Sequence, residues 1–378
     1  MDAHQELLDW ATDKGVKLNG IAPKRIPGRG IGLIATRAIK PEETILDVPT
    51  ACLRSIDTVR KSLIRKLPNS ISVHGLLAAD LALDTSGKYT VWNAVCPSPA
   101  DLSGMPLVWP PELQNLLPPA ARELLAKQQA KYARDWGAVS SAFPELSAQE
   151  GEGYRYAWLL VNTRTFYYVN ARLKRRPKED HMCLQPVADL FNHGDEGCGV
   201  AFDGEGFSIK AARTYAAGEE VKICYGRHGG DFLLVEYGFV MGGNRWDEVL
   251  LDEVVLPRLS PRQRERLEEV GFLGKYVMDR ETACYRTQVA LRLLCCGVRE
   301  WKKFVDGVDD GELYQGVVDQ LLRELLMEYE RKIEDTISEV EALDVGEPEQ
   351  REALVQRWKQ VRDIVGTNIV RLEGTASN

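Results

Sequence analysis

Leu184-Gln185-Pro186-Val187-Ala188-Asp189-Leu190-Phe191-Asn192-His193 opens the stretch, residues 184–240, whose reading decides the fold. The apolar run at 187–191 reads as a buried segment, and Asn192 and His193 deliver two hydrogen-bonding side chains at its mouth. Phe207-Ser208-Ile209-Lys210 and Val221-Lys222-Ile223-Cys224-Tyr225 alternate apolar and polar residues, which predicts two short strands around the turn Ala217-Gly218-Glu219-Glu220. The second strand ends at Tyr225-Gly226, a glycine-rich turn comes next with Gly229 and Gly230, and a second tyrosine stands in Glu236-Tyr237-Gly238-Phe239. That succession predicts an aromatic-walled pocket.

Outward from this stretch, 378 residues allow one large or two ordinary domains. With 44% hydrophobic and 28% charged residues, the chain reads as folded and globular, not disordered. No run of about 18 apolar residues occurs, and Met1-Asp2-Ala3-His4-Gln5-Glu6 lacks a basic-then-apolar leader, so the expectation is an intracellular protein without a membrane partner. The cysteines, at 52, 96, 183, 198, 224, 284, 295 and 296, form no Cys-x-x-Cys pair and no zinc-ligand spacing with histidine. Free thiols and no metal are expected, with Cys295-Cys296 read as part of an apolar helix. A formal net charge of −8 disfavours a nucleic-acid partner, whose phosphates call for basic side chains, and suits a basic protein segment.

Residues 4–14 place Leu7, Leu8, Trp10 and Ala11 at helical spacing before Gly15. Gly28, Gly30 and Gly32 then alternate along a β-leaning run, leaving backbone amides uncovered for a ligand to approach. The run matches a dinucleotide fingerprint only superficially, because Pro41 interrupts the short segment after Gly32 and no helix opens to hold a pyrophosphate. Residues 55–165 read as a mostly helical insertion with a proline-rich connection at 96–119, ending in a segment, 154–169, where Trp158, Val161, Thr165 and Tyr168 share a face beside Arg164. Lys174-Arg175-Arg176-Pro177-Lys178 reads as a solvated basic loop, with a nuclear-import or docking patch as the alternative. Past residue 250, Ser260-Pro261 starts a short helix, another ends near Gly297, and Leu313, Val317, Leu321, Leu325, Tyr329, Ile333, Ile337 and Val340 trace a long amphipathic one. A last helix carries Leu354, Trp358, Val361, Val365 and Leu372.

The glycine hairpin Gly28-x-Gly30-x-Gly32-x-x-Ala35, the Asp189-to-His193 run, Gly218-Glu219-Glu220 with Tyr225-Gly226 after it, and Glu236-Tyr237-Gly238-Phe239 together resemble the SET-domain protein methyltransferases in order and spacing. Within them the chain is similar to the Rubisco large-subunit methyltransferase-like branch, through its helical insertion, Asn162-Thr163-Arg164-Thr165-Phe166, and its helical C-terminal region. The resemblance implies an α+β fold of small twisted sheets with a pseudoknot at 191–193, in a domain spanning 1–250 with the insertion at about 55–165. An all-α domain at 251–378 would then recognise substrate.

It also implies S-adenosylmethionine as cofactor, held by the backbone of Arg29, Gly30 and Ile31. Arg164 would meet its carboxylate, Asn192 its amino group, the Asn192–His193 backbone its adenine, and Tyr237 and Phe239 would line the transfer centre. Tyr225 matches the catalytic tyrosine, and Phe166, Asp189 and Phe191 fall where the target side chain enters. The implied activity is lysine N-methylation of a non-histone protein in the cytoplasm or nucleus, with histidine methylation or a SET-like interaction module as alternatives. Gly194 and Cys224 depart from the residues common after the histidine and before the tyrosine, so substrate identity stays open.

Overall fold

The computed structural model describes residues 2–376, the side chains at 148–150, 375 and 376 apart; positions 1, 377 and 378 lie outside the described residues. The chain forms two compact units, Met1–Ser103 with Lys127–Arg227, and Gly104–Ala126 with His228–Asn378. These limits differ from a division at 250/251, since the second unit begins at His228 and also takes up part of the insertion.

In the first unit the helix Ala3–Asp13 is capped by Asp2, which accepts from the His4 amide, and gives way to Gly15 at φ 93°. The strands are β1 (Lys17–Leu18), β2 (Ile21–Ile26), β3 (Gly30–Ala35), β4 (Thr44–Pro49), β5 (Thr165–Tyr167), β6 (Met182–Leu184), β7 (His193–Phe202), β8 (Gly206–Lys210) and β9 (Glu220–Val221). They build a four-stranded sheet β1-β4-β8-β7, a three-stranded sheet β2-β3-β9 and the pair β5-β6. All of these pairings are antiparallel. Gly28 and Gly30, both at φ 73°, turn the β2–β3 hairpin in a conformation that side chains disfavour.

The two strands expected around Gly218 do not pair with each other. β8 lies between β4 and β7, and β9 shrinks to two residues that join β3, with Leu33 opposite Val221. Residues 222–224 leave the sheet because Asn192 and the first half of β7, to Cys198, take their hydrogen bonds. The Ile223 amide donates to Asn192 O at 3.1 Å, the Cys198 amide donates to Lys222 O at 2.7 Å, and Ile223 bridges both His193 and Cys198 in parallel. A Cβ on Gly197 would sit 2.3 Å from the Ile223 carbonyl carbon, so only glycine fits this clasp. The expected pseudoknot falls here.

The insertion is helical, with Val73–Ala82 packed on Glu152–Arg164. His74 stacks on Trp158 at 4.0 Å and bonds its carbonyl at 2.8 Å, while Asp135 accepts from the Trp158 indole at 3.1 Å. The face expected to run on through Thr165 and Tyr168 is cut at Arg164. Thr165-Phe166-Tyr167 prefers an extended backbone and finds β6 as its partner.

In the second unit β10 (Val249–Leu250) and β11 (Val277–Met278) pair among helices Pro261–Glu269, Tyr285–Cys295, Gln315–Ala342 and Pro348–Ala376. Ser260 and Gln263 form a reciprocal capping box. The long helix starts at Gln315, and its buried row is Val318, Leu322, Leu325, Leu326, Tyr329, Ile333, Ile337 and Val340. Leu313, which precedes the helix, and Val317, one position before the first residue of the buried row, are 81% and 51% exposed.

Arg357 is wholly buried in this unit and donates from Nε to Asp231 at 2.7 Å and from Nη1 to Asp247 at 2.6 Å. Asp247 also accepts from the Gly230 amide at 2.8 Å, at the start of the helix Gly230–Tyr237. Removing one partner of a buried network strands the others uncompensated. Arg357→Ala should therefore lose about 3–5 kcal/mol of stability, read by urea denaturation, and a loss under about 1 kcal/mol would contradict this account.

Candidate active site

Tyr225 stands where residues 222–224 emerge from the clasp. Its hydroxyl donates to Phe191 O at 2.6 Å, its amide donates to His193 Nδ1 at 3.1 Å, and its ring lies 5.1 Å from the imidazole. An amide N–H can only donate, so His193 carries its lone pair on Nδ1 and its proton on Nε2. Burial pushes the Tyr225 phenol up to about 12, with the Asp189 and Glu220 carboxylates adding to the rise and Arg164 opposing it. The hydroxyl is protonated at neutral pH.

Asp189 lies in a short 3-10 turn, Ala188–Leu190, preceded by Val187 at φ 68° and ψ −44°. A β-branched residue at positive φ is strained by roughly 1–3 kcal/mol, a cost concentrated in natural proteins at functional loops. Asp189 Oδ2 accepts from the Trp92 indole at 2.9 Å, and its buried Oδ1 has no partner among the described residues. Burial raises its pKa from the ordinary carboxylate range, and Arg164 pulls the other way. Arg164 closes the helix Glu152–Arg164 and donates from Nη1 to the Asp189 carbonyl, while its buried Nε–H has no partner among the described residues.

On the hairpin, Arg29 is exposed, and a Cβ built on Gly28 or Gly30 would touch nothing within 4 Å. Gly32 is different, since a Cβ there would meet Asn192 Nδ2 at 2.7 Å. Asn192 and Arg29 converge on one carboxylate: Asn192 Nδ2 donates to Glu220 Oε1 at 2.8 Å, and Arg29 Nη1 to Glu220 Oε2 at 2.5 Å.

The structure thus gathers Arg29, Arg164, Asp189, Phe191, Asn192, His193 and Tyr225 through a connected set of hydrogen bonds and neighbouring backbone. Gly30 and Ile31 begin β3 beside Arg29. Phe166 lies in β5 opposite Cys183, half-buried and outside that set. Tyr237 and Phe239 belong to the second unit, where their rings are 6.2 Å apart at the end of the helix Gly230–Tyr237.

The profile described as the SET domain matches residues 30–226, just over half of the chain. The chain belongs to the SET-domain family. A second profile, the C-terminal domain of ribosomal lysine N-methyltransferase 2, matches residues 247–371. The chain is similar to ribosomal lysine N-methyltransferase set11 of Schizosaccharomyces pombe, with 25% identity covering 90% of each chain. It is 28% identical to SET domain-containing protein 4 of Mus musculus, covering 80% of this chain and 75% of the other. Similarity to the actin-histidine N-methyltransferase of Gallus gallus is 25%, over 66% of this chain and 44% of that protein. Among solved structures, Rubisco LSMT bound to AdoMet has a similar fold, with a TM-score of 0.64, 15% identity, and coverage of 100% of this chain and 92% of the other.

Two residues of this SET domain carry no sequence signal of their roles. Glu220 reads as the end of a turn, and Trp92 falls in the insertion without a pattern of its own. A buried tryptophan requires an acceptor for its indole N–H, but sequence does not say which one. Trp92→Phe removes that donor and leaves neither Asp189 oxygen with a side-chain partner among the described residues. It should cost about 1–3 kcal/mol, read as a lowered melting temperature. Retention of wild-type stability would show that the bond is dispensable.

Proposed function

We propose that this chain is an S-adenosylmethionine-dependent protein N-methyltransferase acting on a lysine of a ribosomal, non-histone protein, in the cytoplasm or nucleus. One observation carries the reading: a tyrosine hydroxyl tethered to the Phe191 carbonyl, in a chain aligned over 90% of its length with a ribosomal lysine N-methyltransferase.

The residues present fit the cofactor. Its amino-acid end bears a carboxylate and an ammonium. Arg164 has a buried N–H, without a partner among the described residues, for the first. Asn192 turns its Nδ2 to Glu220 and keeps its amide oxygen as an acceptor for the second. The open backbone at Gly28 and Gly30 admits a ligand, with Arg29 and Ile31 completing the cradle and the Asn192–His193 backbone left for the adenine. When bound, S-adenosylmethionine supplies a methyl group on positively charged sulfur.

The chain's own work is positioning. Because the Tyr225 proton goes to Phe191 O, the hydroxyl oxygen faces the target amine with lone pairs that accept an N–H, which aims the amine's lone pair. Asp189 and Phe191, with Phe166, receive the entering side chain, the ring faces attracting its charged form by about 0.5–2 kcal/mol each. The amine must react uncharged, and deprotonating a lysine at pH 7 costs roughly 4–5 kcal/mol. Orientation of the reactants contributes up to about 7–11 kcal/mol, so alignment outweighs that cost without a dedicated base. A histidine acceptor is the second reading, favoured by similarity to the actin-histidine N-methyltransferase.

Incubation with labelled S-adenosylmethionine and purified ribosomal proteins, with mass spectrometry of the products, tests both readings. The expected product is one methylated lysine, formed roughly 100-fold more slowly by Tyr225→Phe while S-adenosylhomocysteine affinity stays within about threefold. Methylhistidine would establish the second reading, and no labelled product would leave the fold as an interaction module. Since the Tyr225 phenol sits at about 12, kcat/KM should rise about tenfold per pH unit and level only near the lysine pKa of about 10.4. A plateau beginning near pH 8 would contradict a lysine target deprotonated in this way.

A further inference from the structure

We propose that Glu220 is the positioning residue that fixes the amide of Asn192, and with it the recognition of the amino group at the amino-acid end of S-adenosylmethionine. The inference rests on the cofactor reading above and deepens it.

An asparagine amide presents an oxygen that accepts and a nitrogen that donates, and in isolation nothing decides which faces a ligand. Glu220 decides it here. Its carboxylate pairs with the Arg29 guanidinium and acts as an acceptor, so Nδ2 faces Oε1 across their 2.8 Å contact. Asn192 Oδ1 is thereby turned to the other side of the amide, where no described residue donates to it. An ammonium needs an acceptor there, and the opposite flip would meet it with a second donor.

The carboxylate is itself firmly placed. Its other oxygen accepts from Arg29 at 2.5 Å and has Lys222 Nζ at 3.8 Å, and its side chain is 14% exposed. The register Ile34 opposite Glu220 fixes its backbone on β9. Gly32 lets the Glu220–Asn192 pair lie against β3, since a Cβ there would come within 3.0 Å of Glu220 Oε1 and 2.7 Å of Asn192 Nδ2. Charge-assisted hydrogen bonds of this kind are the stronger ones, so they hold the flip against thermal reversal.

Glu220→Gln keeps the shape but can donate as well as accept, so the Asn192 flip is no longer dictated. Calorimetry on the full chain distinguishes this role from a general loosening by comparing two ligands, S-adenosylhomocysteine and 5′-methylthioadenosine, which lacks the amino-acid end. The expected result is at least about tenfold weaker binding of S-adenosylhomocysteine with methylthioadenosine changed less than about twofold. In an Asn192→Ala background, the same Glu220→Gln change should add no further loss. Unchanged S-adenosylhomocysteine affinity, equal weakening of both ligands, or full additivity with Asn192→Ala would each overturn the proposal while leaving the cofactor reading intact. Binding of neither ligand by the wild-type chain would overturn that reading, and the role of Glu220 with it.

Discussion

The hydrogen bonds that residues 192–198, at the start of β7, make to residues 222–224 are the constraint on which the site depends. Asn192 accepts from Ile223 and Cys198 donates to Lys222, so two stretches distant in sequence share backbone bonds on both sides of one residue. Buried amides and carbonyls left without partners would be costly, which makes the clasp an all-or-nothing arrangement. Tyr225 comes immediately after it and adds two bonds of its own, to His193 and Phe191. The tyrosine and the Asn192-His193 pair therefore cannot move independently, and their relative placement is set by main-chain geometry more than by side-chain packing. Gly197 makes this closeness possible by having no side chain, since any Cβ would overlap Ile223.

Strain and unmet polarity concentrate beside that clasp. Val187 sits at positive φ, Asp189 Oδ1 and Arg164 Nε are buried without partners among the described residues, and Gln185 is fully buried with both amide atoms likewise unpaired. His74 in the insertion shows the contrast. It is just as buried, yet its Nε2 meets the Trp158 carbonyl and its Nδ1 meets Lys131, and its pKa is driven well below the ordinary value by burial with Lys131 adding to the effect. Both ring nitrogens have partners there, whereas the run 185–189 is held away from its own minimum. Unmet polar groups of this kind mark places where a ligand supplies what the chain does not.

How much of this could be read from residues alone followed the range of the interactions. The hairpin glycines, the Ser260–Gln263 capping box and the stop at Gly15 rest on contacts a few residues apart, and the sequence displays them directly. The Asn192-His193 pair and Tyr225 stood out because polar residues end apolar runs. What stayed hidden was non-local: β9 pairing with β3 across some 190 positions of chain, and Trp92 reaching Asp189. A two-residue strand has too little periodicity to reveal its partner. Leu313 and Val317 misled for a different reason: the apolar row continues in sequence past the point where the helix and its buried face begin, at Gln315 and Val318.

The charges around Tyr225 decide what kind of chemistry this residue can do. A tyrosine acting as a base would need surroundings that favour the phenolate, such as cations outnumbering carboxylates close by. Here burial opposes ionisation first, the carboxylates of Asp189 and Glu220 oppose it further, and Arg164 alone favours it. The arrangement keeps the proton on the oxygen and commits that proton to Phe191. What remains is an acceptor in a fixed direction, suited to guiding a neutral amine and unsuited to removing its proton. The same logic separates the two carboxylates. Glu220, bound to both Arg29 and Asn192, is used up in orienting its neighbours, whereas Asp189 retains one oxygen facing no partner among the described residues. Of the two, Asp189 is the one that keeps an acceptor without a partner among the described residues, while Glu220 acts through the groups it holds.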